Sequence, residues 1–252
     1  MTKTITRYKA SASHLGLSLL VVGSVFLIIF LIWYPSPYFK IMGAKEIILV
    51  VIGVDLGIGP LLTLIVYKQG KRGLHFDISV ILLVQLIALF YGTKVIYDAK
   101  PESMVFAVDR FNIISKKEVY WEEFDQKSIP GRPLIGPAVY YADFPTDETE
   151  QQTFLDETVI EGKPDLEYRP RYWQPLSSNL DQLLRKTRSI KYLLDKRPEH
   201  KEKIIHFIES DGLDVELLNF SGVIGKNGDF SIIFNRETGH IEGAIEIDPW
   251  MY

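Results

Sequence analysis

Asp55 is the one charged residue between Ile47 and Tyr67, a stretch otherwise made of aliphatic, glycine and hydroxyl side chains. A carboxylate at the centre of a bilayer costs about 2.5–3.5 kcal/mol on insertion scales, so it must be protonated or hydrogen-bonded there. Gln85, at similar depth in the next apolar run, is its natural partner. Three roles follow for the pair: a bond that holds two helices together, a contact with a membrane helix of another protein, or proton or ion conduction. Conduction needs a chain of polar groups, and these runs offer one acid at that depth.

Gly53 and Gly57 flank Asp55 in a G-x-x-x-G spacing, which lets helix backbones approach closely. They serve either packing within the bundle or docking of a partner helix. Gly59-Pro60 follows at once, and proline removes a backbone donor, so the ladder is expected to break and the helix to kink there. His14 and His75 fall at the ends of apolar runs, where snorkelling to the interface explains them.

Other chemistry is sparse. His200 and His206 are six apart on an expected helix, not the i, i+4 spacing that puts two imidazoles on one face, and His240 falls in a turn. The sequence has no phosphate-cradling glycine loop, no G-x-S-x-G elbow and no cysteine. No catalytic residue, metal ligand or cofactor site is nominated, and the many acids read as a solvated surface. The site residues that remain are Gly53, Asp55, Gly57, Pro60 and Gln85, as positions for helix packing or a partner.

The elements that must position them are three apolar runs, about 15–34, 47–67 and 76–97, each near the ~20 helical residues that span a ~30 Å hydrocarbon core. Residues 1–97 carry nine Lys or Arg against three acids, whereas residues 98–252 carry 19 against 29. The acidic second part is repelled by nucleic acid and by anionic lipid headgroups. Lys3, Arg7 and Lys9 precede the first run, and Lys68, Lys71 and Arg72 fill the turn between the second and third; the intervening loop holds Lys40 and Lys45. Because cytoplasmic loops retain positive charge, the N-terminus is expected in the cytoplasm and residues 98–252 in the periplasm of a Gram-negative cell. Trp33, Tyr34, Tyr38, Tyr91 and Tyr97 fit an aromatic belt on the exported side. The first run is too long for a signal peptide, and no small-x-small cleavage site follows it.

The expected fold is therefore a three-helix transmembrane bundle over 1–97 followed by an α+β periplasmic domain over 98–252. Met104–Ser115 reads as one strand. Prolines 130, 133, 137, 145, 164, 170 and 175 argue against regular helix across that stretch. Ser177 or Ser178 is expected to cap a helix with Leu180, Leu183, Leu184, Ile190, Leu193 and Leu194 on one face, and Pro198 to open a second through Ile208. Phe230–Phe234 and Ile241–Ile247 form a closing hairpin.

Several segments carry a resemblance: Trp33-Tyr34-Pro35, Gly53-Val54-Asp55-Leu56 with Gly59-Pro60-Leu61-Leu62-Thr63-Leu64, and Lys71-Arg72-Gly73-Leu74 before Phe76-Asp77. Phe106–Phe111, Gly162–Leu166 with Arg169-Pro170, and Arg236–Gly239 leading to Pro249-Trp250 continue it. In this order they resemble the type IV pilin accessory proteins of Gram-negative bacteria. The resemblance implies an inner-membrane protein that supports the stability or assembly of a pilin, which would be its partner alongside membrane lipid. It implies no catalytic residues. The rival class is a membrane-tethered enzyme or ligand sensor with a periplasmic domain.

Overall fold

A computed structural model describes residues 6–123 and 133–250; Lys3, Pro130 and Tyr252 fall outside them. The chain divides into two compact units, Met1–Pro35 with Gly43–Ala99, and Ser36–Met42 with Lys100–Tyr252.

The first unit is helical. α1 (Arg7–Ile28) continues through a π-helical segment, Ile29–Trp33. It starts two turns before the expected position, because Thr6 caps it by accepting from the Lys9 N–H at 3.4 Å, and its polar first turns are invisible to a reading by apolarity. The second helix is composite: α3 (Lys45–Ile52), a π-helical Gly53–Ile58, and α4 (Gly59–Val66). The helix thus runs on through Gly59-Pro60, and the irregularity lies in the turn before it, where a wider i→i+5 register relieves the crowding between the proline ring and the preceding carbonyls. After a turn that uses Gly70 and Gly73 at φ +79° and +83°, α5 (Leu74–Asp98) completes the unit.

Among the described residues three helices, Arg7–Trp33, Ile48–Val66 and Leu74–Asp98, are long and apolar enough to cross a membrane. Their outward faces expose Leu20, Val50, Ile65 and Phe90. At one end Trp33 packs edge-on against Tyr97 at 4.9 Å, and the Tyr34 hydroxyl donates to the Ile96 carbonyl at 2.8 Å. At the other end the Ser11 hydroxyl donates to the Pro60 carbonyl at 2.8 Å. The first and last helices are therefore tied at their C-terminal ends, while the middle one clasps the N-terminal part of α1.

In the second unit an eight-stranded sheet runs β4-β3-β1-β2-β6-β7-β8, with β5 also paired to β6. The strands are β1 (Pro101–Ala107), β2 (Arg110–Ser115), β3 (Ala138–Ala142), β4 (Trp173–Pro175), β5 (Arg188–Ser189), β6 (Leu218–Ile224), β7 (Asp229–Asn235) and β8 (Ile241–Ile245). The expected single strand over 104–115 is a hairpin. Val108 and Asp109 make its turn, with Ala107 paired to Arg110, and Val108 sits at φ +60°. β6 and the short strands β3, β4 and β5 were not expected, and β6 lies at the centre, parallel to β2 and antiparallel to β7.

A regular helix, α6 (Glu148–Val159), does form inside the proline-punctuated stretch. Asp147 caps it through bonds from Thr149 and Glu150, with Pro145 before the cap and Pro164 beyond the end, so no proline enters its ladder. The helix expected from Ser177 is split. α7 (Leu180–Lys186) follows a 3-10 turn, β5 interrupts, and α8 (Ile190–Lys196) restarts under a Ser189 cap. A 3-10 turn at Pro198 then leads into α9 (Lys201–Ser210).

All seven residues of β1 are buried, so this strand lacks the polar-apolar alternation of a half-exposed one. On one face, Val105, Ala107, Ile114 and Tyr140 pack with Phe154 and Trp173, while Leu218, Phe220 and Ile233 pack with Ile190, Leu193 and Ile204. On the opposite face, Phe106 stacks on Tyr141 at 5.8 Å and meets Phe111 at 5.1 Å, and Phe111 meets Phe234 at 6.2 Å. The short helix α2 (Tyr38–Ile41) belongs to this unit. The Ile41 carbonyl accepts from the backbone N–H of Lys226 and Asn227 at 3.0 and 3.1 Å, and a Cβ on Gly225 would lie 2.2 Å from the Ile41 side chain.

Arg169 is fully buried between the rings of Phe154 and Tyr172, 5.3 and 5.0 Å from its guanidinium. It donates twice to Glu123, at 2.7 and 2.9 Å, and once to Glu157, which also receives Lys163 at 2.9 Å. Arg169, and after it Lys163, hold the Glu157 carboxyl down at about 2.

Two outcomes are expected. An L-residue at positive φ costs about 1–2 kcal/mol, so Val108→Asn, which tolerates that region better, should stabilise the protein by about 0.5–1 kcal/mol in thermal melts of the detergent-solubilised chain. Glu157 has a lowered folded pKa, so its contribution is complete above its unfolded value near 4.5 and is lost as pH falls toward about 2. The stability difference between wild type and Glu157→Gln should therefore shrink over that window, and a difference that stays constant from pH 7 to pH 3 would contradict the assignment.

Candidate functional site

The middle helix of the first unit has two faces. Val51, Asp55, Gly59 and Thr63, spaced i, i+4, all point inward and are buried. Gly92 meets Val51 so closely that a Cβ there would lie 2.6 Å from the valine side chain. Gly53 and Gly57 lie on the other face, exposed, and a Cβ on either would meet nothing within 4 Å. Among the described residues, no side chain packs against the G-x-x-x-G pair.

Asp55 and Gln85 are brought together through the backbone. In the π-helical register the Gly59 N–H bonds to the Val54 carbonyl. The Asp55 carbonyl would then look to residue 60, and Pro60 has no N–H to give. Gln85 supplies the missing donor, its Nε2 reaching the Asp55 carbonyl at 3.1 Å. Gly59 makes room, since a Cβ there would lie 1.9 Å from that same Nε2. Among the described residues, Gln85 Oε1 and Asp55 Oδ2 have no hydrogen-bond partner.

His14 joins them, which differs from the expected snorkelling position. It is buried, and its Nδ1 shares a hydrogen bond with Thr63 Oγ1 while Nε2 has no partner. Ser11 and His14 stand one turn apart on α1, facing Pro60 and Thr63. The signal that would have found them is this i, i+3 polar pair at the head of an apolar helix. Between α1, the middle helix and α5 lies a groove of about 210 Å³ lined by His14, Asp55 and Gln85 and, around them, by Ser18, leucines and valines.

The second unit carries recesses of its own. One of about 420 Å³ is lined by Asp143, Glu150, Arg171, Gln174 and neighbours, with no Ser, Cys or His among its lining residues. Another, of about 290 Å³, lies where β6 changes partner from β5 to β2, beside Lys186, Ser221 and Trp250. Among the described residues no group of three or more His, Cys, Asp or Glu is placed to hold a metal ion.

The profile of the fimbrial assembly protein FimB matches residues 2–43. Over 248 residues, 96% of this chain and 95% of the relative, the sequence is 28% identical to the fimbrial assembly protein of serogroup I from Dichelobacter nodosus. The serogroup E1 protein of the same organism is 28% identical over 247 residues, with the same shares. The protein of serogroups C1 and C2 is 40% identical over 120 residues, 47% of this chain and 92% of that protein. No solved structure matches. With a relative above 30% identity covered almost end to end, and others aligned along the whole chain, the chain belongs to the fimbrial assembly protein family, a type IV pilus assembly and accessory group.

Proposed function

We propose that this chain is an inner-membrane accessory protein for a type IV pilin, holding the subunit at the membrane before or during its incorporation into the pilus. The observation that carries this reading is alignment along 96% of the chain with fimbrial assembly proteins, joined to three helices of membrane-spanning length. The helices cross the bilayer with the N-terminus in the cytoplasm, placing residues 98–252 in the periplasm. Lys68, Lys71 and Arg72 support that orientation, standing together in the turn between the second and third helices. Pilin is met by the helices and by the sheet domain, and the work done is binding, not catalysis. The family names point to assembly.

A reporter active only in the periplasm should be active when fused after residue 252 and silent when fused near Gly70; the reverse pattern would overturn the orientation. Deleting the protein should reduce surface pili and pilus-dependent motility several-fold while leaving envelope integrity intact, measured by sheared-pilus yield and detergent sensitivity. Restoration by residues 1–97 alone would place the activity in the helices. Normal assembly of the cognate pilin in the deletion strain, with no pilin crosslinked to the protein, would sink the accessory reading in favour of a tethered enzyme or sensor.

A further inference from the structure

His14, Asp55 and Gln85 are each more than nine-tenths buried, and each retains one polar atom without a partner among the described residues: Nε2, Oδ2 and Oε1. All three line the same groove. Its rim residues Leu17, Leu82 and Leu86 are exposed, so the groove opens sideways through an apolar rim, not into a polar mouth. Two of the three free atoms, a carboxylate oxygen and an amide oxygen, are acceptors. Unsatisfied acceptors in an apolar surround call for a donor, and a carboxylate calls most strongly for a cationic one.

We propose that this groove is the seat of an apolar membrane helix of the pilus subunit, one that carries a hydrogen-bond donor, an amine above all, at the depth of Asp55. The inference rests on the accessory reading and adds the site and its chemistry. An acyl chain would fill the apolar walls but leave both acceptors unpaired. A conduction path would need polar groups continuing beyond His14, Asp55 and Gln85, and Leu17, Val21, Val22, Leu82, Leu86 and Leu89 make up most of the remaining wall. A helix with one donor satisfies both halves of the surface: its aliphatic side chains meet the leucines, and its donor meets Asp55 Oδ2 and Gln85 Oε1. His14 Nε2 lies ready as a third contact, while Nδ1 shares its bond with Thr63.

The chain has no cysteine, so single cysteines can be placed at will. In native membranes containing the pilus subunit, a photoreactive maleimide is attached to cysteine variants of Leu17 or Leu86 on the rim, and of Val50 or Val84, exposed elsewhere. Adducts with the subunit are expected from the rim positions at tenfold or greater yield over the other two. Asp55→Asn, which keeps an acceptor oxygen but loses the carboxylate, should lower the adduct less than Asp55→Leu does. Asp55→Leu should lower it at least fivefold at equal protein level; because that variant can fail to fold, Leu82→Trp, which fills the groove from its lipid side and leaves every buried polar group in place, should lower it equally. Adducts to the subunit from Val50 or Val84 alone would overturn the groove and leave the accessory reading standing, as would rim adducts only to lipid or to a second copy of this chain. No subunit adduct from any position, with unchanged pilus yield on deletion, would overturn both.

Discussion

One missing hydrogen organises the helical unit. Pro60 cannot donate to the Asp55 carbonyl, and in a dry environment an orphaned carbonyl costs several kcal/mol. The chain answers with a glutamine from another helix, a glycine at position 59 to let it in, and a π-helical turn that sets the carbonyl free to meet it. Each part then constrains the next. Gln85 keeps Oε1, and Asp55 keeps Oδ2, without a hydrogen-bond partner among the described residues. The same Pro60 offers its own carbonyl to Ser11, which fixes α1 against the middle helix. A packing defect on one side of the proline and a helix clasp on the other thus have a common origin.

The sheet domain is held differently. Its two halves meet at β2 and β6, where the ladder has only two residue pairs, Phe111 with Val223 and Asn112 with Ile224. The hairpin of β6 and β7, by contrast, has seven. So few ladder bonds cannot join the halves by themselves. The contact of Phe111 with Phe234 crosses the seam, and aromatic pairs of this kind contribute about 0.5–1.5 kcal/mol beyond their buried area. On the opposite face the two halves keep separate apolar clusters. Cohesion across the seam therefore depends on rings more than on backbone pairing.

What was legible in the sequence followed from composition and periodicity. Three runs of apolar residues announced three helices because length and hydropathy are averaged over about 20 positions, and a single polar residue does not disturb the average. Asp55 and Gln85 stood out for the same reason in reverse: each was the rare polar group in its surroundings. Their manner of meeting was not legible, since it depends on a π-register that no side-chain pattern marks. His14 was misjudged because a histidine near a helix end is ordinarily a surface group, and only the third dimension brings Thr63 to it. In the sheet domain, the Val, Ile and Phe of Met104–Ser115 hid a turn made by Val108 and Asp109, an unfavoured pair for a two-residue hairpin. In β6 the alternation of Leu218, Asn219, Phe220 and Ser221 spans only four positions before Gly222, too short to mark a strand.

The attachment of Ile41 to the turn after β6 bears on the order in which this protein can be built. Lys40 and Asn227 are 187 positions apart, yet their bond and those of Ile41 close one small junction. At ribosomal speeds of about 5–20 residues per second, the loop between the first two helices is made roughly 10–40 seconds before its binding partner exists. During that interval Ile41, buried in the finished unit, still lacks the turn of Gly225, Lys226 and Asn227 that it meets there. The nascent protein therefore passes through a stage with a sticky apolar loop outside its helices, and completion of the last strands ends that exposure. Synthesis, not only sequence, decides when this molecule becomes safe from aggregation.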